Sequence, residues 1–289
     1  HPAVQAVDDV QVEAVQVVEA VQVAAVVQAA EAVQAAADEE AVAAVVDINP
    51  VDFSAFVASR RTTRDFLPTP ISDELIEEII SDGLTAPSWS NTRPFLVAVA
   101  TGSVRDRLSN EFLRRWDAVK DIRGAGIFGK IKTIFRRYGL PTSNWLVAKS
   151  YHPDLMPRSK RLGKEIMAFN GIDREDKTAR DKSWSRNYEF FGAPVELFVF
   201  THKSLGKFAA SDAGLFMQNL ILSAHAKGLG TCPQGSVAIW EDAVREEFEI
   251  SKQYSLLCGI SVGYPSEGKV NSFEAHRLPP SEISAPIKD

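Results

Sequence analysis

The stretch 209–227 constrains this 289-residue chain more than any other part of it. Leu215, Phe216, Leu220, Ile221 and Leu222 stand there among Ala209, Ala210, Ala213 and Ala224, so a helix over these residues is apolar around much of its circumference. Gly228 supplies its stop. A helix of that kind is stable only when neighbours cover most of its sides, which predicts a core element rather than a surface one. Short apolar runs at 95–100, 195–200 and 254–262 predict strands to pack on it. Further helices are expected over 49–60, from a Ser72 cap to Gly83, over 104–119 and near 239–248, with loops at 84–94 and 231–236. The elements interleave in an α+β pattern.

Charge divides the chain. Residues 1–47 hold nine acidic side chains and no Lys or Arg, in an alphabet dominated by 15 Ala and 15 Val. The formal charge of −6 becomes +3 over 48–289, where 32 basic residues face 29 acidic ones. We read 1–47 as a low-complexity acidic N-terminal extension, either an arm that wraps a partner subunit or a dispensable addition. It has neither the basic start nor the apolar length of a targeting or membrane segment. Residues 48–289 contain no linker-like stretch and read as a single domain. Cys232 and Cys258 lack CxxC or Cys/His spacing, and five scattered His residues form no metal pattern. A reducing, cytoplasmic setting without a metal is expected.

Three polar segments could carry chemistry. Arg60, Arg61, Thr62 and Arg64 place three guanidiniums and a hydroxyl within five residues, a donor set that matches phosphate oxygens. A solvated basic helix end has the same composition. Residues 86–95, Ala-Pro-Ser-Trp-Ser-Asn-Thr-Arg-Pro-Phe, form a rigid polar loop entering a strand. Its amides and hydroxyls suit the edge of a planar heterocycle, with Trp89 lining the pocket, although an ordinary helix-to-strand connection reads the same way. Residues 228–236, Gly-Leu-Gly-Thr-Cys-Pro-Gln-Gly-Ser, let backbone approach a ligand without forming GxGxxG or a P-loop. Cys232 has no His/Asn pattern around it and reads as a small pocket-lining residue rather than a nucleophile.

Taken in order, and joined by Phe190-Phe191-Gly192-Ala193-Pro194-Val195 and Arg277-Leu278-Pro279, these segments resemble the FMN-dependent nitroreductase family over 50–285. The Phe-Phe-Gly-Ala-Pro and Thr-Cys-Pro-Gln pieces look closest to the branch containing 4-nitrobenzoate reductases. The resemblance implies a three-layer α/β/α nitroreductase-like fold with a central mixed sheet, an intertwined homodimer, and FMN sites at the subunit interface. It implies an NAD(P)H oxidoreductase, with NADPH or NADH as electron donor. A small nitroaromatic acceptor would be reduced by ping-pong hydride transfer through flavin N5. Arg60, Thr62 and Arg277 would hold the FMN phosphate, with Arg61 near the phosphate or ribityl chain, and Arg64 would face the flavin N1/O2 edge. Pro87, Ser88, Trp89 and Asn91 would reach the flavin from the neighbouring subunit, and the backbone of Pro233, Gln234 and Gly235 would lie near N5. The flavin carries the chemistry, so no catalytic acid or base is assigned. Arg93, Phe95 and Ala275 depart from the family pattern, which commonly has Gln, Trp and a basic residue there.

Residues 120–164 carry 11 basic and two acidic side chains among interleaved apolar ones. This +9 stretch reads as a basic lid or insert that attracts the NADPH 2′-phosphate or an anionic nitroaromatic, or else as a solvated face. A reductive dehalogenase resembling iodotyrosine deiodinase is the alternative within the enzyme class. Its Glu-x-x-x-Tyr lid and Lys would correspond to Glu165–Phe169 and Lys182, and Phe169 lacks the hydroxyl. A second alternative is a non-catalytic flavin-binding protein. No nucleic-acid-binding motif accompanies the basic stretch, so no nucleic-acid partner is expected.

Overall fold

Four strands organise the chain: β1 (Phe95–Thr101), β2 (Val195–His202), β3 (Gly230–Gln234) and β4 (Tyr254–Gly263), in the order β1-β2-β4-β3. The computed structural model describes residues 48–120, 138–143 and 150–287. Arg60 onward forms one compact unit, and the described residues 48–59 belong to another. In that other unit, helix α1 (Pro50–Ser59) starts at Asn49, whose Oδ1 accepts the Val51 N–H at 2.8 Å.

Helices cover both faces of the sheet. Val195, Leu197 and Val199 of β2 and Ile260 and Val262 of β4 pack against α2 (Asp73–Leu84) and the long α6 (Gly206–Ala226). On the opposite face Phe198 and Phe200 meet Leu108 and Phe112 of α3 (Gly102–Val119), Trp240, and Val244 of α7 (Glu241–Glu247). The three layers follow from alternation along β2, whose two faces are both apolar because both are covered. Helix α6 buries one stripe, on which Ala213, Phe216, Leu220 and Ala224 have no exposed surface, while Leu215 is exposed within this chain, so its neighbours cover less of it than its composition predicts. Truncating Phe216 to Ala would cost about 3–5 kcal/mol.

The structure corrects several local expectations. All three strand ladders are antiparallel, so the expected mixed sheet is mixed only through a single parallel bridge, Thr62 with Thr231. Gly83 does not stop α2, which runs to Leu84. A Cβ at Gly83 would lie 2.7 Å from Phe216 Cε2, so this glycine serves close approach of α2 to α6. The helix expected near 239–248 is shorter, and a 3₁₀ segment, Ser236–Trp240, precedes it. Two helices lie where none was read from the pattern, α4 (Met156–Phe169) and α5 (Lys177–Ser185).

Much of the basic stretch 120–164 lies outside the described residues. Its described part 138–143 is tied to the segment that follows β3: Trp240 Nε1–H donates to Gly139 C=O at 3.0 Å, and Ser143 Oγ–H donates to Ala238 C=O at 2.7 Å. Among the described residues, no helix is long and apolar enough to cross a membrane.

Candidate functional site

β3 has β4 on one side, and residues 62–63 meet its other edge. Thr62 bridges Thr231, and the Thr63 N–H donates to the Thr231 C=O at 3.0 Å. The expected loop 231–236 is therefore largely strand, with its Pro and Gly accommodated by edge geometry. Backbone groups alternate sides along a strand, so those of Thr231 and Pro233 point away from β4, and Gly235 lies just past the strand with helical backbone (φ −75°, ψ −26°). The N–H that Pro233 lacks is one that β4 does not use. Pro233 and Gly235 are exposed, whereas Cys232 and Gln234 are buried.

The segment 60–64 runs parallel to β3, which sets Arg60 toward the Gly230 end and Arg64 toward Pro233, about 13 Å apart if extended. Thr63 fits only because residue 230 has no side chain: a Cβ there would lie 2.3 Å from Thr63 Oγ1. Asn271 clamps the far end. Its Oδ1 accepts from the N–H groups of Arg64 (2.8 Å) and Asp65 (3.2 Å), and its Nδ2 donates to the carbonyls of Asp65 (2.7 Å) and Ser266 (3.0 Å). All of the amide's usual bonding capacity is used on this one turn. Arg64 lies near enough to Cys232 for its charge to favour the thiolate, but burial dominates and pushes that thiol up to about 12. Cys232 is thus a packed residue rather than a nucleophile.

Positive charge converges at the other end of this strand edge. Burial, then Arg277 and Arg61, lower the Arg60 guanidinium from its ordinary value. His225, in the last turn of α6, is lowered by burial and then by Arg60 and Arg61. Arg61 Nη2 reaches Glu274 Oε1 at 2.5 Å. Arg277 Nη1 donates to the Ala275 carbonyl at 2.9 Å. The chain thus brings Arg60, Arg61 and Arg277 together, with Thr62, Arg64 and Pro233 along the same strand edge, Gln234 buried beside them and Gly235 just past the strand's end.

The loop holding Pro87, Ser88, Trp89 and Asn91 is not part of that strand edge within one chain. It is anchored at the start of α6, where the Trp89 N–H donates to Asp212 Oδ2 at 3.0 Å and the Trp89 ring lies 4.2 Å from that of Phe208. Between Asp212 and His225 the helix rises about 20 Å. Ser88 Oγ accepts the Arg93 N–H at 3.1 Å, while the Arg93 guanidinium holds the Asn91 side chain and the Leu84 carbonyl (3.2 Å). Ser90, Asn91 and Arg93 have φ of 47°, 57° and 44°, a left-handed geometry that costs non-glycine residues about 1–3 kcal/mol each. Arg93 is what bridges this strained turn.

His225, Asn271 and Asp212 were not singled out from the sequence, because each acts through tertiary placement. Glu196, the one charge within the apolar run 195–200, carried a readable signal and is fully buried. The dehalogenase-type lid finds no support in geometry. Phe169 packs its ring 5.4 Å from that of Phe273 with Lys269 above it, and Glu165 pairs with Arg161 at 3.2 Å.

Fold and site together define a three-layer α+β protein that carries a row of cationic side chains along the edge of an antiparallel sheet. Comparison with known proteins narrows this class. The Nitroreductase family matches residues 57–264, and the chain belongs to that family. It is 36% identical to a 4-nitrobenzoate reductase of Pseudomonas putida, over 78% of this chain and 91% of the relative. It is 28% identical to a chloronitrobenzene nitroreductase of Comamonas testosteroni, over 79% and 93% of the two chains. Among solved structures, the FMN-dependent nitroreductase NfnB from Mycobacterium smegmatis in complex with NADPH aligns with TM-score 0.66 and 26% identity. That alignment covers 82% of this chain and 98% of the neighbour.

Proposed function

We propose that this protein is an FMN-dependent NAD(P)H oxidoreductase that reduces nitroaromatic compounds. The observation that carries the reading is the docking of 60–64 along β3, with Arg60 and Arg277 mutually repelling at one end and the exposed Pro233 and Gly235 edge at the other. The donor set fits the cofactor. Three guanidiniums and the Thr62 hydroxyl suit a phosphate dianion, which would relieve their like-charge repulsion. The relatives named as nitroreductases, two of them acting on nitrobenzoate or chloronitrobenzene, support the acceptor class.

Arg60, Thr62 and Arg277 would hold the phosphate, with Arg61 beside it and oriented by Glu274. Arg64, its backbone fixed by Asn271, would face the N1/O2 edge of the flavin and stabilise negative charge there. The Pro233 C=O and Gly235 N–H would border N5. When bound, FMN supplies the redox chemistry, taking hydride from NAD(P)H and passing it to the acceptor. Pro87, Ser88, Trp89 and Asn91 would come from a second copy of the chain in a homodimer. The roughly 20 Å rise of α6 between the two half-sites supports that arrangement, and Asp212 and Phe208 would hold the loop in shape.

Turnover of 4-nitrobenzoate with NADPH or NADH tests the activity, with diiodotyrosine as the comparison acceptor. We expect NAD(P)H consumption coupled to nitro reduction. Turnover of diiodotyrosine alone would instead assign the fold to dehalogenation.

A further inference from the structure

Glu196, the second residue of β2, has no exposed surface and lies on the face that also carries Phe198 and Phe200. Its Oε2 accepts from Ser261 Oγ at 2.6 Å, while Oε1 is buried with no hydrogen-bond partner. Among the described residues, one other buried side-chain oxygen has the same problem: Gln234 Oε1, whose amide donates from Nε2 to the Asn187 carbonyl at 3.2 Å. Strand register brings the two side chains toward the same place. Gly259 is the cross-strand partner of Gln234, and a Cβ at Gly259 would lie 2.2 Å from Glu196 Oε1. The carboxyl therefore occupies the space that a side chain at 259 would have filled, next to Gln234.

Two acceptors without a donor are satisfied by one proton. Turning the Gln234 amide over does not help, because its oxygen would then face the Asn187 carbonyl. We infer that Glu196 is a neutral acid that donates Oε1–H to Gln234 Oε1, and that it acts as a positioning residue for the Pro233–Gly235 edge. Only the role of that edge rests on the proposed function. The network runs from Ser261 through Glu196 and Gln234 to Asn187, whose Oδ1 also accepts from Ser236 Oγ at 3.3 Å.

The charged and titratable groups that act electrostatically with the carboxyl are Arg105 on α3, Cys232 on β3 and, from the opposite face of the sheet against Met217, Cys258 on β4. Burial raises Glu196 well above the ordinary carboxylate range, outweighing the bond from Ser261 and the charge of Arg105. Arg105 itself is engaged with the carbonyls of Ala193 (3.0 Å) and Glu189 (2.5 Å).

Infrared difference spectroscopy of the full chain near neutral pH tests the inference, with and without FMN. We expect a protonated-carboxyl C=O band that disappears in E196Q and moves to higher frequency in Q234L, where its acceptor is gone. No band lost in E196Q, or a band unmoved in Q234L, would overturn the assignment, and neither result depends on flavin binding. The positioning role is read from FMN affinity. E196Q, which can still donate to Gln234, should bind within about twofold of the parent, and E196L about tenfold more weakly, the scale of one lost hydrogen bond. Unchanged affinity in E196L would refute the positioning role while leaving the protonation state to the infrared result.

Discussion

Replacing Gly230 by Ala tests whether docking of 60–64 on β3 builds the site. The new methyl would sit 2.3 Å from Thr63 Oγ1, 2.8 Å from its Cβ and 2.9 Å from its Cγ2. Thr63 is itself buried, so relief requires the 60–64 segment to move outward by roughly 1 Å, toward ordinary van der Waals separation. That displacement strains the Thr63 N–H to Thr231 C=O bond and carries Arg60 and Arg64 with it. Overpacking costs about 1–3 kcal/mol and a weakened backbone bond about 1 kcal/mol more. We therefore expect G230A to lose about 2–4 kcal/mol in urea unfolding followed by circular dichroism. FMN titration, followed by quenching of flavin fluorescence, should show affinity reduced about tenfold or more. The second-site change T63G removes the clashing atoms and should restore much of the FMN affinity to G230A, a coupling that a double-mutant cycle reads directly. Parent-like stability and FMN affinity in G230A would refute the reasoning.

Other perturbations address separate parts of the site. R277Q should weaken FMN about 10- to 100-fold, the scale of a charge-assisted bond, while leaving riboflavin affinity within about twofold; equal losses for both ligands would place Arg277 away from the phosphate. Glu196 has a folded pKa raised above its unfolded value of about 4.3. The stability linked to its proton is therefore complete below that value and is lost as pH rises through the folded pKa. E196Q should flatten the decline by up to about 1.4 kcal/mol per pH unit above that value, measured as urea midpoints across pH. His225 should titrate below its ordinary value in proton NMR, and FMN or inorganic phosphate, by neutralising Arg60 and Arg61, should raise it. Cys232, pushed up to about 12, should resist iodoacetamide at neutral pH until the protein is unfolded.

Core elements were legible where composition alone dictates burial. The apolar content of α6 marked the helix that packs on the sheet, though only one of its faces is buried in this chain, and the run 195–200 is a strand covered on both sides. β3 was misread because Pro233, Gly230 and Gly235 are local signals for a turn, and only pairing with β4 on one side and Thr63 on the other makes the segment extended. Gly83 was misread for a related reason: a helix stop and a close helix contact both select glycine, and Phe216 decides between them. In the site, the density of Arg60, Arg61 and Arg64 was visible along the chain. Their convergence with Arg277 was available only through family resemblance, since periodicity carries no long-range register. His225 and Asn271 are single residues whose partners lie far away in sequence, and their roles emerge only from coordinates.

The central claim is that this chain binds FMN along the β3 edge and that the bound cofactor exchanges electrons with a nicotinamide. The most direct test is the visible spectrum of the purified full-length protein reconstituted with FMN, titrated anaerobically with NADPH and NADH. We expect a bound-flavin spectrum that bleaches on adding reduced nicotinamide and returns when 4-nitrobenzoate is supplied. A protein that retains no flavin would contradict the site, and bound flavin that neither nicotinamide can bleach would leave a flavin-binding protein rather than an oxidoreductase.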